Sequence, residues 1–157
     1  MAESTRYNLA EEMLKSYLKT GVKVLEVGCG GLEFISYLEK KYNVIGYCVD
    51  PYMPYGISSK IYSLKAEEID RLKTNFQVIF TVMSLHHFQD PNAFMENVYK
   101  ILDQNGILLI VDWMYGANTG VNERYFTIEE VISMAKKYKV VKTRRLAEMF
   151  AITFQKA

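Results

Sequence analysis

The chain has 157 residues, half of them hydrophobic, with 19 Lys and Arg against 18 Asp and Glu and a formal net charge of +1. That length suits a single domain able to bury a sizeable core, and so even a charge balance gives no support to a broad phosphate-facing surface, leaving nucleic acid unsupported as a partner. The opening residues MAESTRYNLAEEMLK carry acids and no apolar signal region, and no apolar run approaches the roughly 20 residues needed to cross a bilayer, so a cytoplasmic protein away from membranes is expected.

In chain order, Asn8 is positioned to cap a helix whose apolar residues Leu9, Met13, Leu14, Tyr17 and Leu18 recur at helical spacing, with Glu11 completing a capping box. The helix is expected to end near Gly21. The run VKVLEV predicts a buried strand, followed by a glycine turn and a helix through Phe34, Ile35, Tyr37 and Leu38. The same rhythm returns with strands at NVIGYCV, IYSL, QVIFTVM and GILLIVD. Asp90 followed by Pro91 is a good N-cap and first-turn pair for a helix through Phe94, Val98, Ile101 and Leu102 that stops before Asn105-Gly106. Thr127 with Glu130 makes a further capping box. The tail, YKVVKTRRL then MFAITFQK, reads as an antiparallel hairpin.

Strands alternating with helices predict an α/β fold with a doubly wound, mostly parallel sheet, helices on both faces and a β-hairpin at one edge. The division expected is one domain over 1–157: an N-terminal helix (1–20), a cofactor-binding half (22–112), and a lid loop, helix and hairpin (113–157). Ligands in such sheets sit beyond the carboxyl ends of the strands. Cys29 and Cys48 fall in apolar stretches without metal-ligand spacing, so they are expected to be reduced core thiols, with neither a disulfide framework nor a metal site.

In VLEVGCGG a strand runs straight into Gly28-Cys29-Gly30-Gly31, where the backbone can turn sharply and approach a ligand without Cβ interference. Asp50 ends the second strand, where a carboxylate can accept hydrogen bonds from two ribose hydroxyls. A dinucleotide fingerprint would need a small residue at position 33, which is Glu33, so a nucleoside cofactor without phosphates fits better.

Glu26-Val-Gly-Cys-Gly, then Asp50, then SLHHFQDP after the fourth strand together resemble the class I methyltransferases of the type 11 group, over most of the chain. The resemblance implies a Rossmann-like, seven-stranded sheet ending in the hairpin, and S-adenosylmethionine as cofactor. It also implies that Gly28, Cys29 and Gly30 line the methionine part, that Asp50 holds the ribose, and that Glu26 supports the turn and the sulfonium end. Pro51 and Tyr52 would flank the adenine, Ala66 and Glu67 would meet its edge, and Met83, Ser84 and Leu85 would close the floor. The chain departs from the family pattern at Leu32, in place of a third glycine, at Lys65, where relatives commonly place an aspartate, and at Gln77 before the fourth strand.

Methyl transfer from a sulfonium needs positioning and exclusion of water, with no metal and no covalent intermediate. An acceptor hydroxyl or ammonium must lose a proton, and His86 and His87, just past the fourth strand, with Asp112 at the end of the fifth, are the candidate catalytic groups. Each also has a purely structural explanation, an imidazole satisfied by backbone or an Asp bonded to its own loop. Tyr7, Tyr52, Tyr55, Tyr115 and Tyr125 are candidates to wall the acceptor pocket or shield the sulfonium through cation–π contact, with Tyr7 and Tyr52 favoured. The basic cluster from Lys136 to Arg145 reads as a solvated surface.

Within the family that the chain resembles, SLHH after the fourth strand, where an Asn-Pro-Pro-Tyr type motif would otherwise stand, argues against the branch that methylates nucleobase amino groups. A small-molecule acceptor is expected. A nicotinamide oxidoreductase fits Glu33 and the hairpin tail poorly. The stronger alternative is a non-catalytic subunit of the same fold that binds S-adenosylmethionine or a protein partner, because little of the chain remains to enclose an acceptor. A second copy or a partner chain would then complete the pocket, and the loop from Asp112 to Phe126 would be the lid in an enzyme.

Overall fold

In the computed structural model the chain is described over residues 2–53 and 60–157, with side chains from residue 5 onward. Tyr55 lies outside those residues. Seven strands form one sheet in the order β3-β2-β1-β4-β5-β7-β6. They are β1 (Lys23–Val27), β2 (Ile45–Val49), β3 (Ile61–Tyr62), β4 (Phe76–Val82), β5 (Leu102–Trp113), β6 (Lys139–Leu146) and β7 (Met149–Gln155). The first five pair in parallel, and β7 runs antiparallel between β5 and β6. Sheet order reverses direction between β1 and β4, which opens a crevice at the carboxyl ends of those two strands. The expected doubly wound sheet with its terminal hairpin is therefore present.

Among the described residues four α-helices flank the sheet: α1 (Ala2–Leu14), α2 (Glu33–Tyr42), α3 (Pro91–Ile101) and α4 (Ile128–Met134). The helix caps behave as the local sequence demands. Asp90 accepts from the backbone N–H of Ala93 at 3.0 Å with Pro91 at the first helical position, and Thr127 and Glu130 bond each other's backbone N–H groups at 3.0 and 2.9 Å. These satisfy donors that a helix start otherwise leaves unpaired.

Two boundaries differ from expectation. Helix α1 begins at Ala2, so Asn8 is an exposed interior residue and not a cap. Leu9, Ala10, Met13 and Leu14 are buried against one face of the sheet, and that packing extends the helix past its best local start signal. Strand β5 begins at Leu102 instead of Gly106, because Leu102 pairs with Phe76 before a register shift through Asn105, whose φ is +65°.

The core lies on both sheet faces. One side is formed by Leu25, Ile79, Leu85, Phe94, Val98, Leu108 and Phe150 under α3 and α4, the other by Val24, Ile35, Leu38, Phe80, Leu109 and Ala151 under α1 and α2. The near-continuous buried runs along β1, β4 and β5, whose side chains point alternately to the two faces, are what a strand covered on both sides requires.

Candidate active site

The turn after β1 is built by backbone geometry that glycine accommodates. Gly28 has φ +77° and Gly30 φ +64°, both left-handed, a region that costs other residues free energy. The N–H of Gly28 donates to the carbonyl of Val49 at 2.7 Å. The N–H of Gly30 donates to Oδ2 of Asp50 at 2.9 Å, while Oδ1 accepts from the N–H of Tyr52 at 2.9 Å. Asp50 is thus buried at the end of β2 and braces both the glycine turn and the loop after β2. Each carboxylate oxygen retains a second lone pair for a ligand hydroxyl.

Glu26, on β1, is only 1% exposed. Burial pushes its carboxyl up to about 8, opposed in part by the hydrogen bond from the Tyr7 hydroxyl and reinforced by the nearby charges of Glu33 and Asp50. Tyr7 reaches Oε2 at 3.4 Å, and Oε1 has no hydrogen-bond partner. A buried, unsatisfied carboxylate oxygen is costly, and a cationic ligand group placed against it would relieve that cost.

A cavity of about 710 Å³ opens between these loops, within the range of small-molecule sites. Its wall gathers Gly28, Asp50, Pro51, Tyr52, Ala66, Glu67, Ser84 and His87 from five separate stretches of chain. Tyr52 is 92% exposed, at the rim. Tyr7, Glu26, Cys29, Gly30, Met83 and Leu85 do not line that cavity; Leu85 is fully buried beneath it and Met83 holds a φ of +56° at the end of β4. The lining also includes Leu64, Phe88 and Gln89, which sequence reasoning passed over, and Lys65. Phe88 and Gln89 had a sequence signal as part of the SLHHFQDP stretch, and Leu64 as the end of the strand IYSL. Glu67 is tied to the fold as well, its carboxylate accepting from the N–H of Asp90 at 2.9 Å.

Cys29 and Cys48 correct an expectation: they are joined as a disulfide, with Cα atoms 5.9 Å apart. Adjacent strands β1 and β2 bring them together, since Cys48 pairs with Glu26 and the turn then folds Cys29 back over it, a separation within the span of a disulfide. Leu32, Met53 and Ile61 pack around the pair, so the residue in place of a third glycine supports this cluster.

Beside the cavity the two histidines take different environments. The side chain of His86 is 5% exposed and that of His87 is 60% exposed. The Nδ1–H of His86 donates to Oδ1 of Asp112 at 2.7 Å, and its backbone N–H donates to Oδ2 at 3.0 Å. The Trp113 N–H completes the shell of Asp112 at 2.8 Å. On the other side, Nε2 of His86 lies 2.7 Å from Oε2 of Glu123. Burial by itself lowers the pKa of His86, but hydrogen bonds and charge from Asp112 and Glu123 raise it on balance. Glu123 was not singled out from the sequence, because it sits in a loop without periodicity. That loop, the expected lid, is anchored: Met114 bridges Phe126, and the Thr119 and Tyr125 hydroxyls bond at 2.8 Å.

Sheet order, glycine turn and acid-ended second strand define the class I methyltransferase fold, with a nucleoside-sized cavity at its switch point. A family model described as "Methyltransferase domain" matches residues 1–151, and the chain belongs to that family, as a class I S-adenosylmethionine-dependent methyltransferase of the type 11-like group.

Solved structures agree in fold. An S-adenosylmethionine-dependent methyltransferase from Aquifex aeolicus superposes with a TM-score of 0.73 at 20% identity, covering 94% of this chain and 89% of that one. The 1,6-didemethyltoxoflavin-N1-methyltransferase of Burkholderia thailandensis, solved with 1,6-didemethyltoxoflavin and S-adenosylhomocysteine, gives 0.77 at 18% identity, covering 97% and 78%. A Haloferax volcanii methyltransferase complexed with a methyltransferase activator gives 0.76 at 12% identity, covering 98% and 91%. No curated protein matches the sequence.

Proposed function

We propose that the chain transfers the methyl group of S-adenosylmethionine to a small-molecule acceptor, with the acceptor approaching from the His87 side of the cavity. The observation that carries this is the meeting, in one cavity wall, of the glycine turn, Asp50 and His87. The bound cofactor would supply a methyl group already activated on a sulfonium, leaving the protein to position and desolvate. Gly28, Cys29 and Gly30 would bring bare backbone against the methionine part, with the N–H groups of Gly28 and Gly30 kept on Val49 and Asp50 to hold the turn's shape, and Asp50 would hold the ribose. The free Oε1 of Glu26 would face the cofactor's cationic end, with Tyr7 steadying the other oxygen. Pro51, Tyr52, Ala66 and Glu67 would take the adenine, and Ser84 the floor between Met83 and Leu85.

His87, exposed at the rim, is the group that would help the acceptor lose its proton. His86 and Asp112 are positioning residues in this reading, because both are buried and held by mutual hydrogen bonds. A small acceptor is supported by the cavity's size and by the fold shared with a methyltransferase solved with a small heterocycle. A second copy or a partner chain closing the acceptor side belongs to the same proposal. It is supported by Tyr52 and Tyr115, which stand exposed, and by the likeness to a methyltransferase held by an activator. Among the described residues no helix is long and apolar enough to cross a membrane.

The test is calorimetric titration of the chain with S-adenosylmethionine, S-adenosylhomocysteine and NAD. Micromolar binding of the first two without the third is expected, and no binding of either overturns the reading. In an acceptor assay, His87→Ala should lower kcat and leave cofactor affinity unchanged.

A further inference from the structure

The geometry points to a site for a first-row divalent transition-metal ion formed by Nε2 of His86, Nε2 of His87 and Oε2 of Glu123, beside the cofactor cavity. The three donor atoms lie within 4.8 Å of one another. This departs from the sequence expectation of no metal, which had only the two histidines to work with.

The first argument concerns facing acceptors. With Asp112 taking the Nδ1–H of His86, Nε2 faces a carboxylate oxygen 2.7 Å away, as a donor when the ring is protonated and with a lone pair when it is neutral. Two lone pairs at that distance require an electropositive centre between them, a proton or a metal ion. The surrounding charge favours the ion. Asp112 and Glu123 place two negative charges around one imidazole; one proton cancels one of them, and a divalent ion cancels both.

The second argument is the third donor. A proton needs only His86 and Glu123, yet Nε2 of His87 converges on the same Oε2 at 3.9 Å, with the two imidazole centroids 4.0 Å apart. Ligands bound at about 2.0–2.2 Å stand roughly 2.8–3.5 Å from each other, depending on the bond angle, so the set closes when the Glu123 carboxylate draws back slightly from His86 and the exposed His87 ring turns toward both. Two histidines with one carboxylate leave coordination positions open, the arrangement of catalytic zinc and non-haem iron sites. Asp112 supplies the outer carboxylate that fixes a ligating imidazole in its tautomer.

His87 also lines the cofactor cavity, so an open coordination position would face the acceptor. An acceptor oxygen bound there would have its pKa lowered by the ion, which narrows the acceptor class to a hydroxyl able to ligate a metal. That last step rests on the acceptor-side reading of His87; the metal site itself does not.

The chain, stripped with chelator, would be titrated with Co2+ while visible absorption is recorded, and with Zn2+ as competitor, with bound metal counted after dialysis. One equivalent is expected, with d–d bands that Zn2+ abolishes. Glu123→Gln and His87→Ala should each weaken binding by more than about tenfold, the least that losing even an outer-sphere partner costs, with circular dichroism unchanged in both and S-adenosylmethionine affinity unchanged in Glu123→Gln. No retained Co2+ in the wild-type chain, or retention unaltered in both variants, overturns the site. Metal retained without cofactor binding would instead overturn the methyl-transfer reading alone.

Discussion

Gly30 donates its backbone N–H to Oδ2 of Asp50 at 2.9 Å, so the acid that ends β2 braces the turn that ends β1. The residue proposed to hold the ribose is therefore also the residue that shapes the methionine end of the site. Asp50→Ala should lower S-adenosylmethionine affinity roughly tenfold to hundredfold, the scale of losing hydrogen bonds to a charged group. It should also lower the melting temperature without ligand. Unchanged affinity by calorimetry would remove Asp50 from the cofactor site.

Glu26 makes stability fall as pH rises. Its carboxyl, raised by burial from 4.5 to about 8, keeps its proton in the fold over a range where the unfolded chain has lost it. Its contribution to stability is thus greatest below about 4.5, declines through the interval and levels off beyond about 8. Melts of the ligand-free chain should show this decline, and Glu26→Gln should flatten it; an equal slope in the variant would dissociate the effect from Glu26. A cationic cofactor against Oε1 favours the ionised form, so binding near neutral pH should release a proton, detectable as buffer-dependent heat.

A side chain at Gly28 has no room. A Cβ there would stand 2.4 Å from Oγ of Ser84 and 2.8 Å from its Cβ, on a backbone with φ +77°. Gly28→Ala should cost about 2 kcal/mol from strain of this kind, measured by denaturant unfolding. Adding Ser84→Gly should recover part of the loss, because the two positions share one contact. A fully additive pair would mean that the clash is not the cause.

The disulfide between Cys29 and Cys48 closes a loop of sequence separation 19. Chain-entropy arguments assign such a loop about 3 kcal/mol. The chain unfolded without reductant should yield no alkylatable thiol and the reduced chain two, with a lower melting temperature after reduction. Two reactive thiols in the unreduced chain would contradict the pairing.

Much of this architecture is legible in one dimension because its signals are local. Asp90-Pro91 and the Thr127–Glu130 box mark helix starts by hydrogen bonds spanning three residues, and the hairpin from Lys139 to Gln155 announces itself by two strand-like runs, the second of them apolar, and a short turn. Asn8 shows the converse: its cap signal is real in chemistry, but burial of Leu9, Met13 and Leu14 outweighs it and draws the helix back to Ala2. Gln77, a departure from the family pattern, accepts from the N–H of Lys23 at 2.7 Å at the exposed amino-terminal end of two central strands, a cross-strand role.

The amino-acid order alone determined the alternation of strands and helices, the glycine turn and the acid that partners it. Each depends on neighbours in sequence or on where a strand must end. Tertiary structure decided the rest: that Cys29 meets Cys48, that Glu26 keeps an oxygen without a partner, and that Glu123 returns from a loop 36 or more positions away to face His86 and His87. Such pairings are set by how the strands lie side by side and how the loop after β5 folds back over the sheet, and burial then gives those groups their altered chemistry.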